Sequence, residues 1–136
     1  MKNDDLAQYG DVGDVYERYR GIATESLLFP AFLRELRELA ENGSAEASIS
    51  LGSQLIKDGP LRNLEEAYRW FFIGYSLSGY STTWDETSFS PYYSGQPGDF
   101  RNEVQVNEIL ELIEWNRCRE IDSEANKWLK ENGLVE

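Results

Sequence analysis

Apolar residues recur every three or four positions through most of this chain, which is the period of an α-helix. The clearest stripe consists of Phe32, Leu33, Leu36, Leu39 and Ala40. Pro30 fits the first turn of this helix, where its missing N–H loses no hydrogen bond. Asn42-Gly43 follows the stripe, and glycine suits the left-handed position that ends many helices. The pattern therefore predicts a helix that begins near Pro30 and stops at Asn42.

A second helix is predicted from Ser44 to Asp58. The Ser44 hydroxyl group can accept a hydrogen bond from the first turn, as N-cap residues do. The apolar residues follow at four-residue steps, and they are Ala47, Leu51 and Leu55. Gly59-Pro60 then breaks the helical pattern.

A third helix is predicted after Asn63, because Asn63 and Glu66 have the spacing of a capping box. Its buried face is predicted to consist of Ala67, Trp70, Phe71, Gly74 and Leu77. Gly79 is expected to close it.

The two ends of the chain also contain helical patterns. A short helix is indicated from Asp14, with Val15, Tyr19 and Ile22 on one side. Residues 102–133 form a longer helical region for which Asn102 is the predicted cap. Its stripe consists of Val106, Ile109, Leu110, Ile113, Cys118, Ile121, Ala125, Trp128 and Leu129. The pattern leaves open whether this region is one helix or two helices joined near Glu120 to Ser123.

Residues 80–101 have a different character, since Ser, Thr, Gly and Pro dominate and no helical or alternating pattern survives. A loop of about twenty residues is far longer than the usual ~2–8 residues between packed helices. Taken together, the patterns predict an all-α protein that forms a single domain over residues 1–136. Residues 1–12 are expected to be flexible.

The block from Gly43 to Gly79 spans 79 − 43 = 36 positions and has the length of a helical repeat. Small residues stand where two antiparallel helices would cross, and Leu51-Gly52 is followed by Gly59. The remaining motif positions are Ala47, Ala67, Trp70, Gly74 and Gly79. In these residues the segment 44–79 resembles a Sel-like repeat, a relative of the tetratricopeptide repeat. Gly74 departs from that family, which generally has alanine there.

Weaker echoes of the repeat flank it, at residues 36–43 and at Ala125-Asn126-Lys127-Trp128. Because each repeat needs neighbours to bury its apolar face, the resemblance implies a short α-solenoid, a helical-repeat array of about five to six antiparallel helices with one long irregular loop. It also implies a protein-interaction scaffold. Small bacterial single-domain proteins similar to this family include immunity proteins that neutralise a cognate toxin.

The chain is strongly acidic, with 25 Asp and Glu against 13 Lys and Arg and a formal net charge of −12. Such a surface repels phosphate backbones and anionic lipids, so we expect neither nucleic-acid nor membrane binding. No apolar run approaches the ~20 residues that span a bilayer. The charge favours a basic partner, although acidic proteins without such a partner are also common.

Cys118 is the only cysteine, which excludes an internal disulfide and suits a reducing compartment. It is expected to be a packed core residue rather than a nucleophile. The first ten residues are polar and acidic, unlike a secretory signal. We therefore expect a cytoplasmic location.

The chain contains no histidine, which removes the usual general base and the usual zinc ligand. We therefore predict that the protein is not an enzyme and needs no cofactor or metal. A pair of carboxylates of the kind found in glycoside hydrolases is the alternative that composition leaves open.

Partner-binding residues are predicted in two places. Aromatic side chains anchor binding hot spots, and surrounding carboxylates suit a basic partner. The loop supplies Trp84, Asp85, Glu86, Phe89, Tyr92, Tyr93 and Asp99. The helical region that follows supplies Glu108, Glu111 and Glu114, which are predicted to form an acidic stripe. The respective alternatives are that several loop rings fold back to cover the open end of the helical array, and that the glutamates form a simple solvated helix face. For the loop we expect both roles, with Trp84 turned inward and Tyr92 and Tyr93 exposed.

The leading hypothesis is a monomeric, non-enzymatic, immunity-type inhibitor that binds and blocks a basic toxin domain, for example one resembling a nuclease. The alternative is a general Sel-like or tetratricopeptide-like adaptor that binds a peptide or protein in the concave face of its helices. Substitutions in the loop would damage the first function, and substitutions on the helices would damage the second.

Overall fold

The computed structural model describes residues 12–82 and 98–135, and within these residues the chain is all-α, as predicted. The first helix, α1, covers residues 12–18 and so begins before the predicted start at Asp14. Val12, predicted to be flexible, is buried in the core, and the rest of the segment predicted to be flexible, 1–11, lies outside the described residues. The five that follow are α2 (Phe29–Glu41), α3 (Ala45–Leu55), α4 (Leu64–Leu77), α5 (Val104–Leu110) and α6 (Trp115–Glu131). A single 3₁₀ turn, Phe100–Asn102, precedes α5. Among the described residues, no helix combines the length and apolar character that a membrane crossing requires.

Local capping signals determine where the central helices begin. The Ser44 hydroxyl group accepts a hydrogen bond from the Ala47 amide, and the Asn63 side chain accepts one from the Glu66 amide. Pro30 lies in the first turn of α2, and Gly43 follows the helix with φ of 98°. These local predictions are confirmed. The α3 helix ends at Leu55, earlier than predicted, because the Asn63 amide binds the Leu55 carbonyl group at 2.9 Å.

Glycines allow α3 and α4 to cross closely. A β-carbon at Gly52 would lie 3.0 Å from the Phe71 ring, and one at Gly74 would lie 2.6 Å from Cγ1 of Ile49. Gly74 also lies against the backbone of Ala45. The absence of side chains at both ends of the contact therefore brings the two helix backbones together. Trp70 and Phe71 fill the remaining space and are 2% and 0% exposed.

Side-chain contacts also join alternate helices. On one side, the Gln54 amide of α3 donates to the Tyr16 hydroxyl group of α1, and Ser53 donates to Gln105 of α5 at 2.8 Å. On the other side, Arg37 of α2 pairs with Glu66 of α4. The indole rings of Trp70 in α4 and Trp128 in α6 meet edge to face, with their centroids 5.8 Å apart. Helix α3 thus contacts α1 and α5, and helix α4 contacts α2 and α6.

A buried hydrogen bond joins α4 to α6 within the core. The Tyr68 hydroxyl group donates to Asp122 at 2.8 Å, and both side chains are almost fully buried. Burial, with the Asp122 charge added, raises the pKa of Tyr68 well above its usual value, so the phenol stays protonated. This bond satisfies a carboxylate that lies on the inner face of α6.

The C-terminal region differs from the prediction at two points. It forms two helices, but they separate at residues 111–114, and α6 runs without interruption through Glu120 to Ser123. The apolar stripe explains the break, because Ile113 is followed by Cys118 rather than by an apolar residue at 116 or 117. Asn102 is not the cap of α5 as predicted. It lies inside the 3₁₀ turn, and Glu103 takes the cap position.

Candidate partner-binding surface

Three of the predicted partner-binding carboxylates lie close together in the chain, one on the exposed side of α5 and two in the turn after it. This helix turns Val106, Ile109 and Leu110 toward the core. Glu108 lies on the opposite side, and Glu111 and Glu114 lie on the turn that joins α5 to α6. All three glutamates are exposed. Within residues 12–82 and 98–135, none of them has an ion-pair partner.

The segment around these glutamates contains no positive charge. Residues 102–116 carry four glutamates and neither lysine nor arginine. The following stretch, residues 117–131, carries four basic and four acidic residues and is therefore balanced. The negative charge of this end of the chain is thus concentrated on α5 and the turn after it.

Apolar side chains are exposed in the same segment. Val104 is 73% exposed, Leu112 is 61% exposed and Trp115 is 36% exposed. Val104 and Glu108 are four residues apart on α5 and therefore neighbours on one face. Leu112 and Trp115 lie next to Glu114 only in the sequence, two positions before it and one position after it. We call this set the acidic–apolar surface, and it consists of Val104, Glu108, Glu111, Leu112, Glu114 and Trp115.

The apolar members of this surface were not predicted. Their signal in the sequence is that Leu112 and Trp115 fall outside the stripe that continues from Val106 to Ile113. An apolar residue outside the buried stripe of an amphipathic helix faces solvent, or faces a partner. Charge alone predicts the glutamates of this surface and does not predict its apolar residues.

Glu103 belongs to the same acidic segment but has a structural contact. The Tyr75 hydroxyl group of α4 donates to Glu103 at 3.4 Å, and burial together with the Glu103 charge raises the pKa of Tyr75 to about 12. Gln105 accepts a hydrogen bond from Ser53 of α3. The start of α5 is therefore attached to both α3 and α4, which gives the acidic–apolar surface a fixed support.

The prediction for Asp99 is wrong. This residue is 2% exposed, and the guanidinium group of Arg101 binds both of its carboxylate oxygens. Asp99 also accepts a hydrogen bond from the Arg101 amide at 2.9 Å, which begins the 3₁₀ turn. A carboxylate that is enclosed and neutralised in this way has no face left for a partner.

The other predicted loop residues lie outside the described part of the chain. They are Trp84, Asp85, Glu86, Phe89, Tyr92 and Tyr93. The structure describes the two ends of the loop, which meet through backbone hydrogen bonds. Ser81 donates to the Gly98 carbonyl group at 2.8 Å and accepts from the Phe100 amide at 3.0 Å. Phe100 is fully buried against Tyr68 and Phe72.

Carboxylates elsewhere on the described surface are often neutralised by arginine. Glu66 binds Arg37 through both oxygens and also accepts a hydrogen bond from the Trp70 indole. Glu65 binds Arg117, whose pKa is raised by hydrogen bonds to Glu65 and to another carboxylate. Glu108, Glu111 and Glu114 differ from this pattern, since none of the basic residues that the structure describes forms an ion pair with them.

Among the described residues, no group of three or more acidic or thiol side chains is arranged to hold a metal ion. No protein family model matches the sequence, and neither a curated protein nor a solved structure matches it. The argument for a function therefore depends on the chemistry of the surface itself.

Proposed function

We propose that this protein is a non-enzymatic binding module that holds a basic protein domain against the acidic–apolar surface. One observation carries the proposal. Residues 102–116 combine three exposed glutamates, which have no ion-pair partner in the described part of the chain, with three exposed apolar side chains, and they contain no basic residue.

This combination has the chemistry of a protein interface. Apolar and aromatic side chains supply most of the affinity when a partner covers them, whereas the charges around them set the orientation and speed of the encounter. Tryptophan is strongly enriched in such hot spots. Lysine and arginine side chains of a partner would pair with Glu108, Glu111 and Glu114, which have no cation of their own among the described residues.

The finer proposal is an immunity-type inhibitor that acts in the cytoplasm of a bacterium. A toxin domain that cuts nucleic acid must present a basic surface to the phosphate backbone. A protein of net charge −12 is attracted to such a surface over a long range and can cover it. A 136-residue helical domain is large enough to block an active site without any chemistry of its own.

The proposed scaffold is a Sel-like α-solenoid. Two kinds of helix contact support it, although neither kind is specific to that family. The α3–α4 pair crosses closely at Gly52 and Gly74, two of the small residues on which the resemblance depends. The contacts of α3 with α1 and α5, and of α4 with α2 and α6, are those expected when helix pairs stack side by side.

Charge reversal on the surface tests the proposal. The test variant carries Glu108→Lys, Glu111→Lys and Glu114→Lys, which changes the net charge from −12 to −12 + 6 = −6. The matched control carries Glu25→Lys, Glu38→Lys and Glu131→Lys, three exposed glutamates on other parts of the chain. Both variants have the same net charge, so only the position of the change differs.

Tagged wild type and both variants are then used to capture proteins from the source organism, and each captured protein is purified and its binding remeasured. We expect a basic partner that wild type and control retain and the test variant loses. Its association rate with wild type should fall at least about tenfold between about 0.05 M and about 0.5 M salt. Equal capture by both variants, or an acidic partner, would contradict the proposal.

Expression of the captured partner separates the inhibitor from a simple adaptor. If the finer proposal is right, the partner alone arrests growth, wild type restores growth, and the test variant does not. A partner that binds through the acidic–apolar surface but harms no cell would support the proposed binding module and contradict the proposed inhibitor.

A further inference from the structure

A pocket of about 330 Å³ lies between α1, α2 and α3, away from the acidic–apolar surface in sequence. Its main lining residues are Tyr16, Tyr19, Ile22, Phe32, Gln54 and Lys57. The Phe32 ring contacts Tyr16 edge to face at a centroid distance of 5.4 Å, and it contacts Tyr19 at 5.3 Å. The pocket has the size of a small-ligand site, and its walls are aromatic, as the walls of such sites commonly are.

Gln54 is the unusual residue of this pocket. The residue is only 7% exposed, and its Nε2 donates to the Tyr16 hydroxyl group over a long 3.3 Å. Its Oε1 is buried and has no hydrogen-bond partner within the described residues. Burial of a polar acceptor destabilises a fold unless the acceptor receives a hydrogen bond. Such a group calls for an explanation, and a ligand that donates to it is a direct one.

The charges around the pocket have a net positive sign. Lys57 is exposed and has no ion-pair partner among the described residues. Arg20 also lines the pocket, but it is paired with Glu17, which lines the pocket too. Within residues 12–82 and 98–135, Lys57 is therefore the one charged residue lining the pocket that has no ion-pair partner, and its ammonium group favours an anionic group on a ligand.

We infer that this pocket binds a small phenolic acid, an inference that is independent of the proposed function. The ring of the ligand lies against Tyr16 and Phe32. Its hydroxyl group lies beside the Tyr16 hydroxyl and donates to Gln54 Oε1. Its carboxylate lies near Lys57. The ligand hydroxyl thus satisfies the Oε1 end of the Gln54 amide, while Tyr16 continues to satisfy the Nε2 end.

A series of three probes tests each contact on the full-length wild-type protein. The first is 4-hydroxyphenylacetate, which has the hydroxyl group and the carboxylate. Phenylacetate lacks the donor, and 4-hydroxyphenylacetamide lacks the charge. Binding is followed by ligand-observed NMR and by calorimetry. A ligand of this size should bind with a dissociation constant on the order of 1 mM, and each control compound should bind at least about tenfold more weakly.

Two variants and a control link the binding to the named residues. Gln54→Leu removes the buried acceptor, so it should raise the melting temperature of the free protein and abolish binding. Lys57→Gln should weaken binding of 4-hydroxyphenylacetate at least about tenfold at low salt but leave 4-hydroxyphenylacetamide unaffected. Lys127→Gln makes the same charge change on α6 and should alter the binding of neither probe.

Three results would overturn the inference. One is no binding of 4-hydroxyphenylacetate at about ten times the expected dissociation constant. Another is equal binding of phenylacetate, because the Gln54 acceptor would then have no role. The third is a Gln54→Leu variant that still binds the probe as tightly as wild type. The comparison of the three probes needs no variant, so the test stands even if a substitution unfolds the protein.

Discussion

Arg101 and Asp99, two residues apart in the chain, form an ion pair inside the protein. The guanidinium Nε donates to Oδ1 of Asp99 at 2.9 Å, and Nη2 donates to Oδ2. The two side chains are 3% and 1% exposed. A buried charge is tolerated only when its partner is present, so the Asp99 carboxylate depends on Arg101.

Removing one member of this pair should destabilise the protein strongly. Arg101→Met leaves the Asp99 carboxylate buried and uncompensated, and we expect the free energy of unfolding to fall by about 3–5 kcal/mol. The double variant Asp99→Asn, Arg101→Met removes both charges and keeps an acceptor for the turn, so it should be more stable than Arg101→Met alone. Urea unfolding followed by circular dichroism measures the free energy of unfolding of both variants. An Arg101→Met protein as stable as wild type would show that the pair is unimportant.

The helix crossing at Gly74 should not accept even one additional carbon atom. In Gly74→Ala the β-carbon would lie 2.6 Å from Cγ1 of Ile49 and 3.0 Å from the Ala45 carbonyl oxygen. The second of these atoms belongs to the backbone and cannot turn away. We expect a loss of about 1–3 kcal/mol in the free energy of unfolding.

Gly13→Ala is the matched control for Gly74→Ala. Gly13 lies in α1, and a β-carbon there would have no neighbour within 4 Å. Alanine is the better helix former, so this variant should gain up to about 1 kcal/mol. Chemical unfolding of both variants gives the comparison. A Gly74→Ala protein that also gains stability would mean that the two helices cross less closely than described.

Cys118 should be unreactive in the folded protein. Burial raises the pKa of its thiol group to about 12, with contributions from the charges of Asp122 and Glu65. At pH 8 about a quarter of a free thiol is ionised, and the raised pKa makes the ionised fraction of Cys118 in the folded protein far smaller. Ellman's reagent should therefore label the native protein very slowly and the urea-unfolded protein within seconds to minutes. Rapid stoichiometric labelling of the native protein would contradict the burial of Cys118.

Glu35 should contribute stability that depends on pH. Hydrogen bonds from Tyr19 and Arg18 lower the pKa of the Glu35 carboxyl group below that of the unfolded chain. Its contribution is therefore present above about pH 4.3, the unfolded value, and is lost as the pH falls through the lower folded value. Glu35→Gln should be less stable than wild type near pH 7, and the difference should shrink under acid.

The matched control for Glu35→Gln is Glu38→Gln, which changes an exposed glutamate of the same helix that has no ion-pair partner among the described residues. Thermal unfolding from about pH 3 to about pH 7 compares the variants with wild type. A Glu35→Gln deficit that stays constant across this range would mean that ionisation of Glu35 is not its source.

The sequence predicted the features that depend on near neighbours. Ser44 and Asn63 cap their helices because the amide that each one binds lies three residues along the chain. The break at residues 111–114 has a local signal too, in the shift of the apolar stripe after Ile113. The position at which the stripe shifts therefore predicts where the helix breaks, whereas the total length of the stripe does not.

Features that depend on distant packing were harder to predict. Asp99 looked like one more acidic loop residue, and nothing in its local sequence shows that Phe100 carries it into the core between α4 and α5. The exposure of Leu112 and Trp115 likewise depends on where α5 stops. The acidic half of the candidate surface was therefore predictable from composition, whereas its apolar half required the fold.

The hydrogen bonds between Ser81 and residues 98–100 have a consequence for the evolution of this chain. They fix the two points at which the segment 82–97 leaves and rejoins the helices, and the buried Phe100 secures the second point. Because these two points are held side by side, a change in the length of the chain between them need not alter the distance that it has to span. Ser81 and Gly98 therefore form a geometrically matched pair of positions at which an engineer could graft a foreign sequence.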